Sequence, residues 1–201
     1  MHGSGGTDPT TGERIGKHPL MSTSSGPPSA SVRLSRTEYA VLGLLAEHPA
    51  HGFAVFKELR PGTAVGRVFT VRRPLVYRAL DRLVAAGFAE PVHTEPGDAG
   101  PQRVIHHITE SGRARLGEWL SDPVEHVRDV RIEFLLKLAL LERSGASPLT
   151  LIRRQRIALE DTLSALDVPA SIPDDVELWR HHNAVATSAY LKDLETRYRK
   201  A

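Results

Sequence analysis

The sequence contains no cysteine among its 201 residues. This absence excludes disulfide bonds, thiolate zinc sites and cysteine nucleophiles together. Aromatic residues make up only 5% of the chain, and no apolar run approaches the roughly 20 residues that span a bilayer. The strongest apolar run, FLLKLALL at 134–141, is interrupted by Lys137. The N-terminus has no basic segment followed by an apolar run, so the sequence predicts no secretory signal. We therefore expect a globular protein of the cytoplasm.

Catalytic motifs are missing as well. There is no G-x-S-x-G elbow, and no strand-like run precedes the early glycines to form a phosphate-binding loop. The adjacent histidines at 106–107 point to opposite faces of a strand, and those at 181–182 diverge by about 100° on a helix. Glu177 and His181 share a helix face but supply only two ligands. We expect no enzyme, no cofactor and no structural metal.

Positive charge is concentrated in one segment. The formal net charge is only +2, yet six arginines and one acid, Asp81, lie between Arg60 and Arg82. Residues 1–31 are rich in Gly, Ser, Thr and Pro and contain no Phe, Tyr or Trp. Such a segment cannot bury enough apolar surface to offset the entropy lost on folding. We predict a disordered tail at 1–31 and a folded chain from residue 32.

Three short helices are predicted at the start of the folded part. Ser35 and Glu38 have the spacing of a capping box, and the helix that they begin ends before Pro49. FAVFKEL at 53–59 has the apolar spacing of a second helix. RRPLVYRALDRLVAAG at 72–87 predicts a third, with Pro74 at its first helical position and a C-cap at Gly87.

A β-hairpin follows the third helix. FAEPVHT and QRVIHHIT are strand-like runs separated by a Gly/Pro turn, so residues 88–108 predict two strands. Thr109 then starts another helix. Three helices, the third of them basic, followed by a hairpin form the winged helix-turn-helix arrangement. The sequence thus predicts a mainly α fold with a small β-hairpin wing, and a winged helix-turn-helix domain at 32–121.

The second half of the chain predicts a helical domain at 122–201. Its three helical patterns cover 126–145, 147–166 and 174–201. The first is apolar on more than one side, which indicates that it contacts two neighbours.

Three motifs together resemble a known family. YAVLGLLAEHPAHGFAVFKEL is similar to two helices joined by a His-Gly-aromatic turn, LVYRALDRLVAAGFAE to a Leu-Tyr recognition helix, and QRVIHHITESGRARLGEWL to a wing strand and its following helix. In this order, over 35–121, they resemble the PadR family of bacterial transcriptional regulators. The helical remainder resembles the longer C-terminal domain of one PadR subfamily. The resemblance implies a homodimeric DNA-binding repressor, often released by a small ligand.

Two departures from the family pattern concern charge. Arg73 precedes Pro74 where a Ser or Thr cap is common, and Arg78 follows Tyr77 where a proline is common. Near the wing tip the chain carries Glu95 and Asp98, which repel the phosphate backbone. We therefore expect the wing to contact DNA through Arg103, on its return strand, instead of through its tip.

Arginine suits both kinds of DNA contact, because its guanidinium binds guanine edges or phosphates with two N–H groups. For Tyr77, the resemblance favours a phosphate contact over packing beneath the helix. For any single arginine, a solvated surface position is the alternative. The predicted DNA-binding residues are Arg67, Arg72, Arg73, Tyr77, Arg78, Arg82 and Arg103.

The resemblance also implies an effector site and a dimer interface. Leu116 and Trp119 are candidates to bind a small aromatic effector, the alternative being that the pair packs on the C-terminal domain. The predicted dimerisation residues are Phe134, Leu138, Leu141, Trp179, Leu191 and Leu194.

The predicted function is repression by a symmetric dimer on an inverted-repeat operator. Its third helices would enter successive major grooves about 34–36 Å apart, and an effector would release the dimer by changing the angle between its winged domains. Two alternatives stay open: a protein-interaction module on a winged-helix scaffold, and a metal-responsive repressor.

Overall fold

The computed structural model describes residues 32–96, 102–166 and 174–200. The predicted tail at 1–31, the wing tip with Asp98 and the linker at 167–173 lie outside these ranges. Helices dominate the rest. In chain order the elements are α1 (Arg36–Glu47), β1 (Ala50–His51), α2 (Gly52–Glu58), α3 (Arg73–Ala85), β2 (Ala89–Glu95), β3 (Arg103–Ile108), α4 (Glu110–Ser121), α5 (Val127–Asp129), a π-helix (Val130–Phe134), α6 (Leu135–Arg143), α7 (Leu149–Leu166) and α8 (Asp175–Lys200).

The predicted capping box begins α1. The Glu38 backbone N–H donates to Ser35 Oγ at 3.3 Å, and the Ser35 backbone N–H donates to Glu38 Oε2 at 2.6 Å. These two bonds satisfy donors that have no partner within the helix. The helix then ends at Glu47, before Pro49.

The predicted two-stranded hairpin is part of a three-stranded antiparallel sheet with the order β1-β3-β2. The additional strand β1 places Ala50 opposite His106 and His51 opposite Ile105. It was missed because two residues are too few to show the alternation that identifies a strand. The β2–β3 pairing follows the prediction, with a register shift between Pro91 and His93, since proline has no N–H for the ladder.

Local signals also set the two ends of α3. Arg72 is its N-cap and Pro74 lies in its first turn, where a missing N–H costs no helical bond. Gly87 follows the helix with φ of +74°, a left-handed conformation that favours glycine. The buried stripe of α3 consists of Val76, Ala79, Leu80 and Leu83.

The helix predicted at 126–145 is divided. Its middle, Val130–Phe134, is π-helical and lies between the short α5 and α6. A single π turn adds about one residue to the repeat, which is too small a change to show in an apolar pattern. The predicted contact of this segment with two neighbours is confirmed. Leu136 and Leu140 pack in the core around α1–α4, whereas Phe134 and Leu138 pack in the core formed with α7 and α8.

Close packing joins α6 to the first core. A Cβ on Gly43 of α1 would lie 2.7 Å from Leu140 Cδ1, so a side chain at this position would require the Leu140 side chain to shift. Across the described ranges, no helix is both long and apolar enough to cross a membrane.

Candidate nucleic-acid interface

The exposed face of α3 carries the predicted DNA-binding residues. Because Val76, Ala79, Leu80 and Leu83 turn inward, most of the remaining positions of the helix face solvent. The exposed residues from the N-cap onward include Arg72, Arg73, Leu75, Tyr77, Arg78 and Arg82. The structure therefore brings five of the seven predicted residues onto one helix. Arg67 is exposed in the segment before α3, and Arg103 begins β3.

Most of these arginines have no carboxylate partner. Among the residues that the structure describes, Arg67, Arg72, Arg73 and Arg78 form no ion pair, whereas other arginines pair with Asp or Glu across the fold. A guanidinium without an internal counter-ion keeps its charge and its N–H groups available to an external anion. The N-terminal half of α3 is therefore a basic surface open to a polyanion.

Arg82 differs from its neighbours because it is paired. Its Nη1 lies 3.0 Å from Glu38 Oε1, and the Glu38 side chain is only 2% exposed. The carboxylate that completes the capping box of α1 therefore also binds the last turn of α3. Sequence spacing did not reveal this pair, since the two residues lie on different helices.

A cleft of about 640 Å³ separates α3 from β3 and the start of α2. Arg73 lines it from α3, and Arg103 lines it from β3. Burial lowers the pKa of His106 on the same lining, against the opposing effects of its backbone hydrogen bond at Val104 and the charge of Asp81. The shift favours the neutral imidazole, so the positive charge of the cleft comes from its arginines.

Tyr77 packs its ring on a neighbouring helix and remains partly exposed, and its phosphate contact stays a prediction. Its ring packs against the start of α2, where a Cβ on Gly52 would lie 2.9 Å from Tyr77 Cε1. The side chain is nevertheless 39% exposed, and Arg73 Nη2 lies 3.5 Å from its hydroxyl oxygen. Ring packing thus holds the residue at the edge of the cleft.

Leu75 is a surface residue that sequence reasoning left out. It is 44% exposed and lies about 100° around the helix from Val76, at the edge of the buried stripe. An apolar residue outside the stripe was the available signal. Near the N-terminus of a recognition helix, such a side chain can contact the methyl group of thymine.

The candidate effector residues lie inside the first core. Leu116 is 6% exposed and Trp119 is 8% exposed. The Trp119 ring stacks on Tyr39 with 4.3 Å between centroids and 5° between planes, and Trp119 Nε1 donates to Glu133 Oε1 at 3.1 Å. The planar partner of this tryptophan is therefore Tyr39 of α1, whereas the packing alternative placed the pair on the C-terminal domain, which Trp119 contacts through Glu133. An effector contact at this position stays a prediction.

Glu133 connects the two cores. Arg36 Nε donates to its Oε2 at 3.1 Å, and Lys137 Nζ lies 3.4 Å from its Oε1. Burial would raise the pKa of the Glu133 carboxyl, but the Arg36 bond and the Lys137 charge outweigh it and lower that pKa. Burial also lowers the pKa of Lys137, with Glu133 opposing the shift. The Glu133 carboxylate is therefore negatively charged where it lies, between α1, α4 and α6.

Most of the predicted dimerisation residues are buried within the single chain. The second core contains Phe134, Leu138, Leu191 and Leu194, and Leu141 packs against it. Their burial follows from the packing of α6, α7 and α8 on one another. Trp179 is 69% exposed. The other large apolar side chains exposed on α7 and α8 are Ile157, Val176, Leu178 and Val185.

A second cavity, of about 560 Å³, lies between α8 and the π-helical segment. Its lining is mainly apolar and includes Trp179 and Tyr190 of α8, with Arg128, Arg131 and Arg180. Within the described parts of the chain, no group of three or more His, Asp or Glu residues is arranged to hold a metal ion.

Several solved structures are similar to this chain. Bacillus subtilis PadR in complex with operator DNA is 20% identical over 80% of this chain and 98% of its own, with a TM-score of 0.43. Bacillus subtilis PadR in complex with p-coumaric acid is also 20% identical, over 82% and 99%, with a TM-score of 0.39. The smu.1604c protein of Streptococcus mutans UA159 is 18% identical over 81% and 92%, at 0.38.

A family model matches a continuous part of the chain. No curated protein matches it, but residues 41–118 match the family described as Transcriptional regulator PadR-like family. The matched range runs from α1 into α4 and includes α2, α3 and the sheet. It thus contains the basic helix, the cleft and most of the motifs on which the resemblance rests. The chain therefore contains a domain of the PadR-like family of transcriptional regulators at residues 41–118.

Proposed function

We propose that the protein is a homodimeric, sequence-specific DNA-binding repressor. The observation that carries this proposal is the basic surface at the N-terminal half of α3, where the exposed Arg72, Arg73 and Arg78 have no carboxylate partner among the described residues. A family domain of transcriptional regulators supplies the fold that presents such a helix to the major groove.

The contacts divide by position on α3. Arg78 lies on the outward side of the helix, and Leu75 near its N-terminus, so we assign base edges to these two residues. Arg67 and Arg72, before the first turn, bind phosphates, as does Arg73 at the cleft. We leave Arg82 out of the DNA-binding set because Glu38 already holds its guanidinium.

Dimerisation is assigned to the exposed apolar face of α8. Leu178 and Val185 lie seven residues apart, on one side of the helix, and are 40% and 41% exposed. A second subunit that covers these two side chains removes their apolar surface from water, which stabilises a dimer. The leucines of the second core are already buried within the single chain and have little such surface to contribute. The variant L178E/V185E should be a monomer by light scattering, with wild-type secondary structure by circular dichroism. If this variant is still a dimer, the dimer interface lies on another surface.

We assign the release of the protein from its operator to a small aromatic anion that binds in the cavity beside Trp179. The aromatic and aliphatic lining suits a planar ring, and the neighbouring arginines suit an anionic group. The π-helical segment lies in the wall of this cavity and bears Glu133, which binds Arg36 at the start of α1. A ligand that binds better to one arrangement of this segment would shift the angle of the DNA-binding domain.

Fluorescence anisotropy tests the DNA-binding proposal. The labelled duplex is an operator taken from the region upstream of the coding sequence, or selected from a random pool, and its scrambled form is the reference. Over a salt series, we expect preference for the operator and a steep fall of affinity with salt. The variant R72A/R78A should lose this preference, while K192A, which removes an exposed charge from α8, should keep it.

Two results would contradict this proposal. Equal affinity of the wild type for both duplexes, after selection from the random pool, would favour a protein-interaction module. Full operator preference in R72A/R78A would place the DNA interface elsewhere. A change of operator affinity with added chelator would instead favour the metal-responsive repressor.

A further inference from the structure

Phe53 is an aromatic residue that neither core uses. It lies on α2, is half-buried, and is absent from both sets of packed apolar side chains. Its ring centroid lies 6.5 Å from that of His51 and 6.2 Å from that of Phe56, and two cations lie over the ring. Lys57 Nζ is 5.0 Å and Arg73 Cζ is 5.3 Å from the ring centroid. Both distances are within the range of a cation–π interaction.

Arg73 contacts a second ring as well. Its Cζ lies 5.6 Å from the centroid of Tyr77, one helical turn further along α3. The guanidinium therefore has an aromatic neighbour on each of two helices, α2 and α3. Arginine stacks readily on such rings because its planar group is weakly hydrated. Its charge stays available, since the rings neutralise none of it.

The neighbouring arginines have no such support. Within the described ranges, the ring contacts of α3 involve Arg73, whereas Arg72 and Arg78 lie over no ring. All three are exposed on the same end of the same helix. Only Arg73 of these three arginines is supported by aromatic rings, those of Phe53 and Tyr77. It is also the one of the three that lines the cleft.

We propose that Phe53 is a positioning residue that orients Arg73 for a DNA phosphate at the cleft between α3 and β3. This inference rests on the proposed DNA-binding function. A long arginine side chain loses rotamer freedom when it binds a phosphate, and a guanidinium already held between two rings loses less. The ring contributes to affinity without touching the DNA.

A double-mutant cycle tests this coupling. F53L removes the ring and keeps an apolar side chain, and because Phe53 belongs to neither core the variant should stay folded. We expect F53L to weaken operator binding about 2- to 5-fold, the effect of one exposed cation–π contact. In an R73A background the same change should have no further effect. F53Y, which keeps a ring, should bind like the wild type.

Two matched cycles serve as controls. F53L should be additive with R72A, since Arg72 has no contact with the ring. It should also be additive with K57A if the effect passes through Arg73. Additivity with R73A, or non-additivity confined to K57A, would overturn the proposal.

A measurement without DNA separates this inference from the proposed function. The heteronuclear ¹H–¹⁵N NOE of the Arg73 Nε–H group reports how rigid the guanidinium is. We expect a lower NOE in F53L than in the wild type, and a restored value in F53Y. Equal values in the wild type and F53L would overturn the proposal, even if the protein binds its operator. If the wild type fails to distinguish operator from scrambled DNA, the proposed function fails and the NOE still decides whether Phe53 orders Arg73.

Discussion

Glu133 accepts a hydrogen bond from Arg36, the first residue of α1, across 97 positions of the sequence. The same carboxylate binds Trp119 Nε1 and lies 3.4 Å from Lys137 Nζ. One side chain of the π-helical segment therefore links α1 and α4 to the C-terminal helices. The neighbouring Arg36–Asp129 pair, at 2.6 Å, reinforces this link.

Removing the Glu133 carboxylate should destabilise the fold. Lys137 is only 1% exposed, and in E133A it would keep the Asp122 carbonyl oxygen but lose its anionic partner. A buried charge without a counter-ion is costly, so we expect E133A to lower the free energy of unfolding by about 3 kcal/mol. Urea denaturation measures the loss. The double variant E133A/K137M should recover most of it, because no unpaired charge remains. An E133A protein as stable as the wild type would contradict this prediction.

Gly52 should not tolerate a side chain, because a Cβ at this position would displace the ring of Tyr77. In G52A the new Cβ would lie 2.9 Å from Tyr77 Cε1, so the ring must leave its preferred position. A displaced rotamer costs enough to weaken operator binding about 2- to 10-fold. G117A is the matched control, since a Cβ on Gly117 meets nothing within 4 Å. It should bind DNA normally and gain about 0.5–1 kcal/mol of stability from its helical alanine. Anisotropy and thermal unfolding, applied to both variants, check these outcomes.

Leu75 should discriminate thymine by its methyl group. Replacing single thymines of the operator by deoxyuridine removes only that methyl. At one position per half-site we expect this replacement to weaken binding by the wild type and to have no effect on L75A. Arg67, assigned to a phosphate, provides the control, because R67A should lower affinity for all duplexes alike and reduce the salt slope by about 1. Equal deoxyuridine effects in the wild type and L75A would exclude the contact.

Acid stability should depend on Glu195. Hydrogen bonds from Arg156 and Arg199 lower the pKa of this carboxyl from 4.5 to about 2. A depressed pKa means that the contribution to stability is complete above the ordinary pKa, near 4.5, and is lost as the pH falls towards 2. E195Q should therefore unfold at a lower temperature than the wild type at pH 7, with a difference that shrinks between pH 4.5 and pH 2. E160Q, at an exposed position of α7, should show no such difference at either pH. A constant difference between E195Q and the wild type across this range would rule out the ionised carboxylate as its source.

Local chemistry made several elements predictable. The capping box needs only Ser35 and Glu38, three residues apart, and the end of α3 needs only Gly87 with its positive φ. Neighbouring residues supply all the required hydrogen bonds and conformational freedom. The basic start of α3 was equally visible, because its charges are close together in the sequence.

By itself, the sequence determined the helical and hairpin segments, the winged helix-turn-helix order and the concentration of arginine on α3, since each depends on residues within a few positions of one another. Only the tertiary structure decided how those arginines differ. Glu38 comes to Arg82, and Phe53 to Arg73, through the packing of separate helices. The same packing buries Leu191 and Leu194 and leaves Leu178 exposed, although all three are leucines of α8. An apolar residue type indicates that a position is suited to burial, but the side chains that pack against it come from elements far away in the chain.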